Sequence, residues 1–416
     1  MRPVGAPSAR PRRPSPSIGH MTAFAALLPA AALLATAGTA TALPPPHSDA
    51  TAGAETAPYV VVLKGAPKEN SPRVPARALA LAAEAAGAGD EVSAVYDTVL
   101  DGFAVRTTAA RAAALAADPR VASVEPDAEF HTTDTQPQAP WPLDRIDQRA
   151  LPLDGSYTYP TRGDGVTVYV IDTGINTRHQ EFGGRARAGY NGLFLTGSGD
   201  CNGHGTHVAA TVGGQTYGVA KGVSLVSVKV ADCRGSGRLS AMVGGIEWMV
   251  RHAARTPATP AVANMSMGGT RSYALEGAVA RAVASGITFV VAAGNDGRDA
   301  CAGSPASVPQ AVTVAATDAA DRRARFSNHG RCVDISAPGV SVVSAWKGSA
   351  TATARSSGTS MAAPHVAGVA ALIRADGTGR TPAQVAAALT HGAVPDRITG
   401  LPAGTPNLLL HTPTAR

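Results

Sequence analysis

The distribution of hydrophobic positions divides the chain into two regions with different patterns. In the first, between residues 57 and 131, short β-rich runs alternate with two Ala-rich stretches that are typical of helices. A polar break near Leu100, Asp101 and Gly102 separates two of the strands. In chain order the predicted elements are a strand in YVVVLK, a helix in ARALALAAEAAG, two strands in EVSAVYDTVLDGFAVRT, a helix in AARAAALAAD and a strand in VASVEPDAEFH.

The order of these elements, β-α-β-β-α-β, is typical of a small ferredoxin-like α+β domain. The polar, proline-containing stretch TTDTQPQAPWP follows it and predicts an exposed joint.

From about residue 140 onward, short apolar runs alternate with Ala-rich helical stretches. The apolar runs do not alternate with polar positions, as expected of parallel strands that are covered on both faces. In chain order the main segments are GVTVYVIDTG, GHGTHVAATVGG, VSLVSVKV, LSAMVGGIEWMVRHAA, AVANMSMGG, ALEGAVARAVASG, ITFVVAAGN and AVTVAAT. They predict an α/β domain with a doubly wound, mainly parallel sheet, whose functional groups lie at the carboxyl ends of the strands.

The first 43 residues have the composition of an export signal. They contain four arginines and no acidic residue, and the apolar run MTAFAALLPAAALLATAG leads to small residues at positions 40–42. Residues 1–42 are therefore predicted to be a secretory signal peptide, and residues 43–56 a spacer. A permanent membrane span is the alternative, which Pro29 and Gly38 disfavour because they interrupt the run. Met21 is an alternative start of translation.

The formal net charge of +6 is unevenly distributed. The leader contributes +4, residues 44–133 carry −5 and residues 134–416 carry +7. The arginines of the last segment are scattered, without a basic helix or interleaved aromatic residues, so nucleic acid is not a predicted partner.

The four cysteines form two pairs of similar spacing, Cys201 with Cys233 and Cys301 with Cys332. In an exported chain this spacing favours two disulfides. Zinc ligation is the alternative, but neither pair has the C-x-x-C spacing that is typical of such a site.

Three polar residues lie where an α/β fold would expose them for chemistry. Asp172 ends the strand VTVYVID, His204 opens the helical stretch HGTHVAATVGG, and Ser360 opens SMAAPHVAGVAALIRA. Each also has a purely structural interpretation, respectively as a turn carboxylate, a helix-start histidine and an N-cap serine. Together they supply a nucleophile, a base and an orienting carboxylate in the chain order Asp, His, Ser.

The charge state of that histidine depends on two opposing effects. A helix N-terminus disfavours the imidazolium by about 0.3 to 1 kcal/mol. A carboxylate near 4 Å favours it by roughly 4 kcal/mol at an effective dielectric constant of 20. The carboxylate is therefore expected to dominate, as a base that becomes charged in the transition state requires.

The segments VIDTGI, NGHGTHVA, AAGN and GTSMAAPHVAG, in this order, resemble the subtilisin-like serine proteases. The flanking stretches and the two cysteine pairs are similar to the proteinase K branch, and within it to secreted aqualysin-type enzymes. The resemblance covers residues 57 to 410. It implies an inhibitory propeptide domain at residues 57–133 and a peptidase domain at residues 134–416, with maturation within about residues 131 to 135.

The resemblance also assigns roles to individual residues. It implies a catalytic triad of Asp172, His204 and Ser360, with Asn295 as oxyanion donor beside the Ser360 N–H; a simple turn residue is the alternative for Asn295. The segments that resemble substrate-binding edges and the pocket wall are Gly235, Ser236 and Gly237, then Ser266, Met267 and Gly268, then Ala292, Ala293 and Gly294. Broad specificity with an apolar or aromatic preference follows from the resemblance.

The proteinase K branch further implies a structural calcium ion, bound by the carbonyl oxygens of Pro309 and Ala311 and the carboxylate of Asp334. A loop carboxylate without a metal is the alternative. No cofactor is expected for catalysis. The expected partners are polypeptide substrates and the chain's own propeptide, which acts as intramolecular chaperone and inhibitor. The enzyme is expected to be extracellular and monomeric, with no membrane association after signal removal.

Two other functions remain as alternatives. An inactive relative that only binds peptides would lack the intact triad and Asn295. An α/β-hydrolase esterase should carry G-x-S-x-G and the order Ser, Asp, His, whereas the chain has GTSMA and the order Asp, His, Ser.

Overall fold

A computed structural model describes residues 55–65, 76–127, 134–193, 196–377 and 379–413. The chain divides into two compact units between Asp127 and Ala128. The predicted signal peptide, most of the spacer and residues 131–133 of the predicted maturation region lie outside the described residues. Those assignments, and the predicted domain boundaries, stay predictions.

The first unit is a four-stranded antiparallel sheet with two helices. Its strand order is β2-β3-β1-β4, which is the ferredoxin-like arrangement that the element order predicted. Its core contains Val61, Leu81, Phe103 and Val105. The last strand ends at Pro126, earlier than the pattern predicted. The elements are β1 (Thr56–Leu63), α1 (Ala76–Gly87), β2 (Glu91–Tyr96), β3 (Gly102–Thr108), α2 (Ala109–Ala116) and β4 (Val121–Pro126).

The second unit is built on a nine-stranded sheet of order β18-β19-β15-β14-β12-β10-β7-β9-β8. All of its strand pairs are parallel except β18 with β19, so the predicted doubly wound, mainly parallel sheet is confirmed. Its strands are β7 (Thr167–Asp172), β8 (Ala186–Asn191), β9 (Ser224–Lys229), β10 (Ala261–Met265), β12 (Thr288–Ala292), β14 (Val312–Thr317), β15 (Ile335–Pro338), β18 (Val394–Pro395) and β19 (Leu408–Leu409).

Smaller elements surround this sheet. Three two-stranded sheets are formed by β5 (Asp134–Pro137) with β6 (Ser156–Tyr159), β11 (Gly269–Thr270) with β13 (Gly303–Ser304), and β16 (Val342–Ala345) with β17 (Thr353–Ser356). The helices are α3 (Trp141–Ile146), α4 (His204–Gly213), α5 (Leu239–Ala253), α6 (Tyr273–Ala284), α7 (Thr359–Arg374) and α8 (Pro382–Gly392), with short 3₁₀ helices at Gln180–Phe182 and Ala300–Ala302.

Strand β7 shows why its sequence is continuously apolar. Val168 and Val170 point into the core cluster that contains α4 and α7, whereas Tyr169 and Ile171 point into the cluster that contains α5 and α6. Because successive strand residues face opposite sides, a strand covered on both faces needs apolar residues at every position.

The structure joins Cys201 to Cys233 and Cys301 to Cys332, so all four cysteines of the chain are in disulfides. In the part of the chain that the structure describes, no helix combines the length and the apolar character needed to cross a membrane.

Candidate active site

Asp172 and His204 meet at the carboxyl edge of the large sheet. Asp172 is the last residue of β7, and His204 is the first residue of α4. The Nδ1 atom of His204 lies 2.8 Å from Oδ1 and 2.9 Å from Oδ2 of Asp172. The carboxylate is fully buried, while the imidazole side chain is 27% exposed and can reach a substrate.

This contact depends on glycine at position 205. A Cβ atom there would overlap the carbonyl oxygen of Gly174 and lie 3.2 Å from the Asp172 Cβ atom. The start of α4 can therefore lie directly against the end of β7 only because Gly205 has no side chain.

The surroundings of His204 favour its charged form. Burial by itself lowers the pKa of His204, but the charge and hydrogen bond of Asp172, and the charge of Asp200, outweigh burial and raise it. The expectation that the carboxylate dominates agrees with this direction.

Ser360 is the second residue of α7, because the helix begins at Thr359 and not at Ser360, where the sequence pattern predicted its start. Gly358 is the N-cap residue, and among the hydrogen bonds of the described residues none uses the Ser360 N–H. The Ser360 hydroxyl donates to the carbonyl oxygen of Ser266 at 3.0 Å. Among the hydrogen bonds of the described residues, none joins this hydroxyl to His204.

A proline explains how α7 is attached at this edge. Pro364 has no N–H, so the carbonyl oxygen of Ser360 loses its normal partner four residues along the helix. The Ser266 hydroxyl donates to this oxygen at 2.9 Å, and Asn264 Nδ2 donates to the Ser266 hydroxyl at 2.9 Å. The end of β10 is thereby tied to the start of the helix that carries Ser360.

The amide of Asn295 has a fixed orientation. Its Oδ1 accepts hydrogen bonds from the N–H of Thr359 at 2.8 Å and from the Thr359 hydroxyl at 2.9 Å. The Nδ2 group therefore remains as donor. A Cβ atom added to Gly358 would lie 3.6 Å from both Asn295 Nδ2 and Ser360 N, so these two donors border one small space.

A cavity of about 250 Å³ adjoins Ser360 and Asn295. It is lined by all of the residues predicted for the second edge and the pocket wall, namely Ser266, Met267 and Gly268 with Ala292, Ala293 and Gly294. The first edge is not part of the lining. Gly235 and Ser236 lie in a turn in which the Asp232 carboxylate accepts the N–H of Ser236 at 3.0 Å, and Gly237 follows it. Both Gly235 and Ser236 are exposed.

Several lining residues were missed from the sequence. Thr359 could have been found from its place in GTS, next to Ser360. Asn328 gave no signal, because it is distant in sequence from the motifs. Its Nδ2 donates to the Ala293 carbonyl at 2.9 Å, and its Oδ1 accepts the N–H of Asp296 at 3.0 Å, so it shapes the loop that carries Asn295. Arg298, Ser304 and Ala306 were also missed.

Of the residues predicted to bind calcium, Asp334 is compatible with a cation. Asp334 accepts the Thr313 N–H at 2.8 Å, two residues after Ala311, and burial raises the pKa of its carboxyl group. A hard cation would offset that burial. Within the described ranges no group of three or more His, Cys, Asp or Glu side chains is arranged to hold a metal, and the predicted set contains only one such side chain, that of Asp334.

Two further histidines near the motifs are buried. His207 Nε2 contacts the Val342 carbonyl oxygen at 3.1 Å, and burial lowers its pKa to about 4. His365 Nδ1 contacts the Met361 carbonyl oxygen at 2.8 Å, and burial lowers its pKa to about 3. Both are neutral near pH 7 and packed in the core.

Two family profiles and several known proteins are similar to this chain. The sequence profile of the subtilase family matches residues 163–410, and that of peptidase inhibitor I9 matches residues 58–133. An extracellular serine proteinase of Thermus sp. (strain Rt41A) is 53% identical over 326 residues, which are 78% of each chain.

Two further proteins with lower sequence identity are also similar to this chain. Alkaline serine exoprotease A of Vibrio alginolyticus is 46% identical over 78% of this chain and 61% of its own length, so the matched region spans less than two thirds of that relative. The crystal structure of a cold-adapted subtilisin-like serine proteinase superposes with a TM-score of 0.64 at 49% identity, covering 67% of this chain and 99% of the other.

Proposed function

The chain belongs to the subtilase family, and on this basis we propose that Asp172, His204, Ser360 and Asn295 together hydrolyse peptide bonds of polypeptide substrates. The chain is a serine endopeptidase with an inhibitor-type propeptide. The observation that supports the residue roles most strongly is the contact between the buried Asp172 carboxylate and His204 Nδ1 at 2.8 Å, where β7 ends and α4 begins.

The first step is attack by the Ser360 hydroxyl on the substrate carbonyl. When substrate is bound, the hydroxyl turns from Ser266 O toward His204 Nε2, which accepts its proton. Asp172 holds the Nδ1 proton of the imidazole and stabilises the imidazolium. His204 then protonates the leaving amine, and water hydrolyses the acyl-enzyme by the same route.

The oxyanion that forms during attack needs donors in place beforehand. The N–H of Ser360 and the Nδ2 group of Asn295 supply them, since the two atoms border the same space. Thr359 fixes the amide orientation, so that Nδ2 rather than Oδ1 faces the oxyanion.

Substrate recognition follows from the shape of the cavity. Ala292, Ala293 and Gly294 form one wall, and Ser266 to Gly268 form an edge along which a substrate strand can pair through its main chain. Gly235 to Gly237, which lie outside the lining of this cavity, would form the opposite edge of the substrate cleft. These small residues favour broad specificity with apolar or aromatic side chains before the scissile bond.

We further infer that the enzyme is secreted as a zymogen with a signal peptide at residues 1–42. The Thermus relative is named an extracellular serine proteinase, and the I9 match at residues 58–133 supports an inhibitory propeptide. Maturation is proposed within about residues 131 to 135, at or just before the start of strand β5.

No cofactor is needed for catalysis in the subtilase family, but a structural calcium ion is proposed. Pro309 and Ala311 would supply carbonyl oxygens, and Asp334 a carboxylate, with water completing the shell. Chelation should then lower the melting temperature of the native enzyme and leave that of Asp334→Asn unchanged. Equal sensitivity of both proteins would contradict this assignment of the ligands.

The test of the proposed function is Ser360→Ala, expressed as the full chain in a host without extracellular proteases. The variant should be folded, secreted and unprocessed, because propeptide cleavage needs the nucleophile. Ser285→Ala is the control, since its hydroxyl only donates to the Ala282 carbonyl at the end of α6. Normal maturation and activity of Ser360→Ala would remove Ser360 from the mechanism.

A further inference from the structure

A second carboxylate, that of Asp200, lies beside the acid and base of the site and has no part in the steps above. Its Oδ1 accepts hydrogen bonds from the Thr173 hydroxyl at 2.9 Å and from the N–H groups of Asn202 and Gly203 at 2.9 and 2.8 Å. Its Oδ2 accepts from the N–H and the hydroxyl of Thr206 at 3.0 and 2.6 Å. One side chain thus receives hydrogen bonds from two segments, one at Thr173 and one at residues 202–206.

These two segments are the ones that carry the acid and the base. Thr173 directly follows Asp172, and its N–H donates to Asp172 Oδ1 at 2.7 Å. Gly203 directly precedes His204, and Thr206 lies in the first turn of α4. The carboxylate therefore connects the strand end that holds the acid to the helix start that holds the base.

The two hydroxyl groups in this network have no spare proton. Thr173 Oγ1 accepts the Gly205 N–H at 3.0 Å, and Thr206 Oγ1 accepts the Asn176 N–H at 2.9 Å. Thr173 is 1% exposed and Thr206 is fully buried. Since each hydroxyl gives its single proton to Asp200, an amide that donates at this position would leave one donor facing another.

The carboxylate also acts on His204 by its charge. Burial lowers the pKa of His204, and the charge and hydrogen bond of Asp172, together with the charge of this second carboxylate, more than offset it. Other titratable groups near His204 or near the loop of residues 199–201 are His207 on α4, Lys229 on β9 and Lys347 after β16. Lys229 and Lys347 donate to the carbonyls of residues 199 and 201, each at 2.7 Å, and so hold the loop that bears the carboxylate.

We propose that Asp200 is a positioning residue for the hydrolysis: it fixes His204 against Asp172 in the orientation that proton transfer needs, and its charge stabilises the imidazolium in the transition state. It touches neither substrate nor the reacting atoms and acts through the base. The proposal rests on the role of His204 given under the proposed function.

The test compares Asp200→Asn with the unmodified mature enzyme. The variant should lose about ten- to a hundredfold in kcat, as expected from a misplaced base, with little change in KM. The acid limb of its kcat/KM profile should move to lower pH, which a purely structural role would not produce. Asp318→Asn is the matched control, because Asp318 accepts the N–H groups of Ala320 and Arg322 at 3.0 Å in a loop outside the site.

A folded Asp200→Asn enzyme with the original kcat and acid limb would overturn the proposal. If that variant does not accumulate, Thr206→Val and Thr206→Ser take its place. The valine variant should lower kcat, and the serine variant, which keeps the hydroxyl, should restore it; full activity of Thr206→Val would equally overturn the proposal. Loss of activity in Ser360→Ala alongside an unaffected Asp200→Asn would leave the proposed function standing and remove only this inference.

Discussion

His204 combines a buried hydrogen bond with an exposed surface. Its Nδ1 atom contacts both oxygens of a buried carboxylate, and its side chain remains 27% exposed. The exposed part can approach Ser360, while the buried part is held in one tautomer by Asp172. The same residue is thus both anchored and accessible.

This environment predicts how activity depends on pH. His204 accepts a proton only when neutral, and its pKa is raised above the ordinary value of 6.5, so kcat/KM should fall as the pH drops through a pKa above 6.5. In Asp172→Asn burial is opposed only by the charge of Asp200, so the pKa of His204 should fall and the acid limb should move to lower pH. The variant should also lose about 10⁴-fold in kcat. An acid limb that stays in place in this variant would assign the titration to another group.

Asn295 leads to a second prediction at this scale. Asn295→Ala should lower kcat by about 10²- to 10³-fold, as is typical for one oxyanion donor in such enzymes, because the bond forms mainly in the transition state. KM should change little. Steady-state kinetics on a small peptide substrate measures both quantities, and an unchanged kcat would remove Asn295 from the oxyanion site.

At the scale of elements, the contact between the end of β7 and the start of α4 decides whether the site can form. Asp172 and His204 belong to these two elements, and Gly205 lets them approach. The register of β7 between β9 and β10 places this end at the carboxyl edge of the sheet, close to the residues that follow β10 and β12.

We therefore expect Gly205→Ala to impair catalysis far more than its single methyl group would suggest. The new Cβ would overlap the Gly174 carbonyl oxygen, so α4 must move away from β7 and the His204 contact with it. A shift of about 1 Å should cost roughly 10²-fold in kcat. The control is Gly392→Ala at the end of α8, where a Cβ meets nothing within 4 Å. Wild-type kinetics for Gly205→Ala would show that the edge tolerates the displacement.

At the scale of the whole molecule, contacts between distant segments hold the peptidase unit together. Arg145 is fully buried and binds Asp321 through two hydrogen bonds, at 2.7 and 2.9 Å, across 176 positions of the chain. Its remaining guanidinium nitrogen donates to the Gln148 carbonyl at 2.7 Å. This pair links α3, at the start of the unit, to the turn after β14.

Removing one member of that pair should be strongly destabilising. In a Ser360→Ala background, which prevents self-digestion, Arg145→Ala should lower the free energy of unfolding by about 3 to 5 kcal/mol, because Asp321 is left buried and unpaired. The control is Arg251→Ala, whose partner Glu247 and own side chain are 61% and 75% exposed; about 0 to 1 kcal/mol is expected there. Denaturant unfolding measures both, and similar losses would contradict the distinction.

The charges of the two units lead to the last prediction. Residues 44–133 carry −5 and residues 134–416 carry +7, and Glu91 and Glu125 are exposed on the first unit. We expect isolated residues 44–133 to inhibit the mature enzyme with an association rate that falls steeply with salt, since exposed charges are screened beyond about 10 Å at 0.1 M. The dissociation rate should barely change. An association rate that is independent of salt in stopped-flow inhibition would contradict the prediction that charge attraction speeds association.

Local sequence determined much of this protein. The continuous apolar runs predicted parallel strands because both faces of each strand are covered, and Asp172, His204 and Ser360 could be located because each directly adjoins a strand end or a helix start. Only the tertiary structure decided the contacts between segments that are far apart in the chain. These contacts depend on strand order and close packing, which local periodicity does not encode. They are the hydrogen bonds of Asn328 to the loop that carries Asn295, of Ser266 to the Ser360 carbonyl oxygen that Pro364 leaves without a partner, of Asp200 to the segments of the acid and the base, and of Arg145 to Asp321.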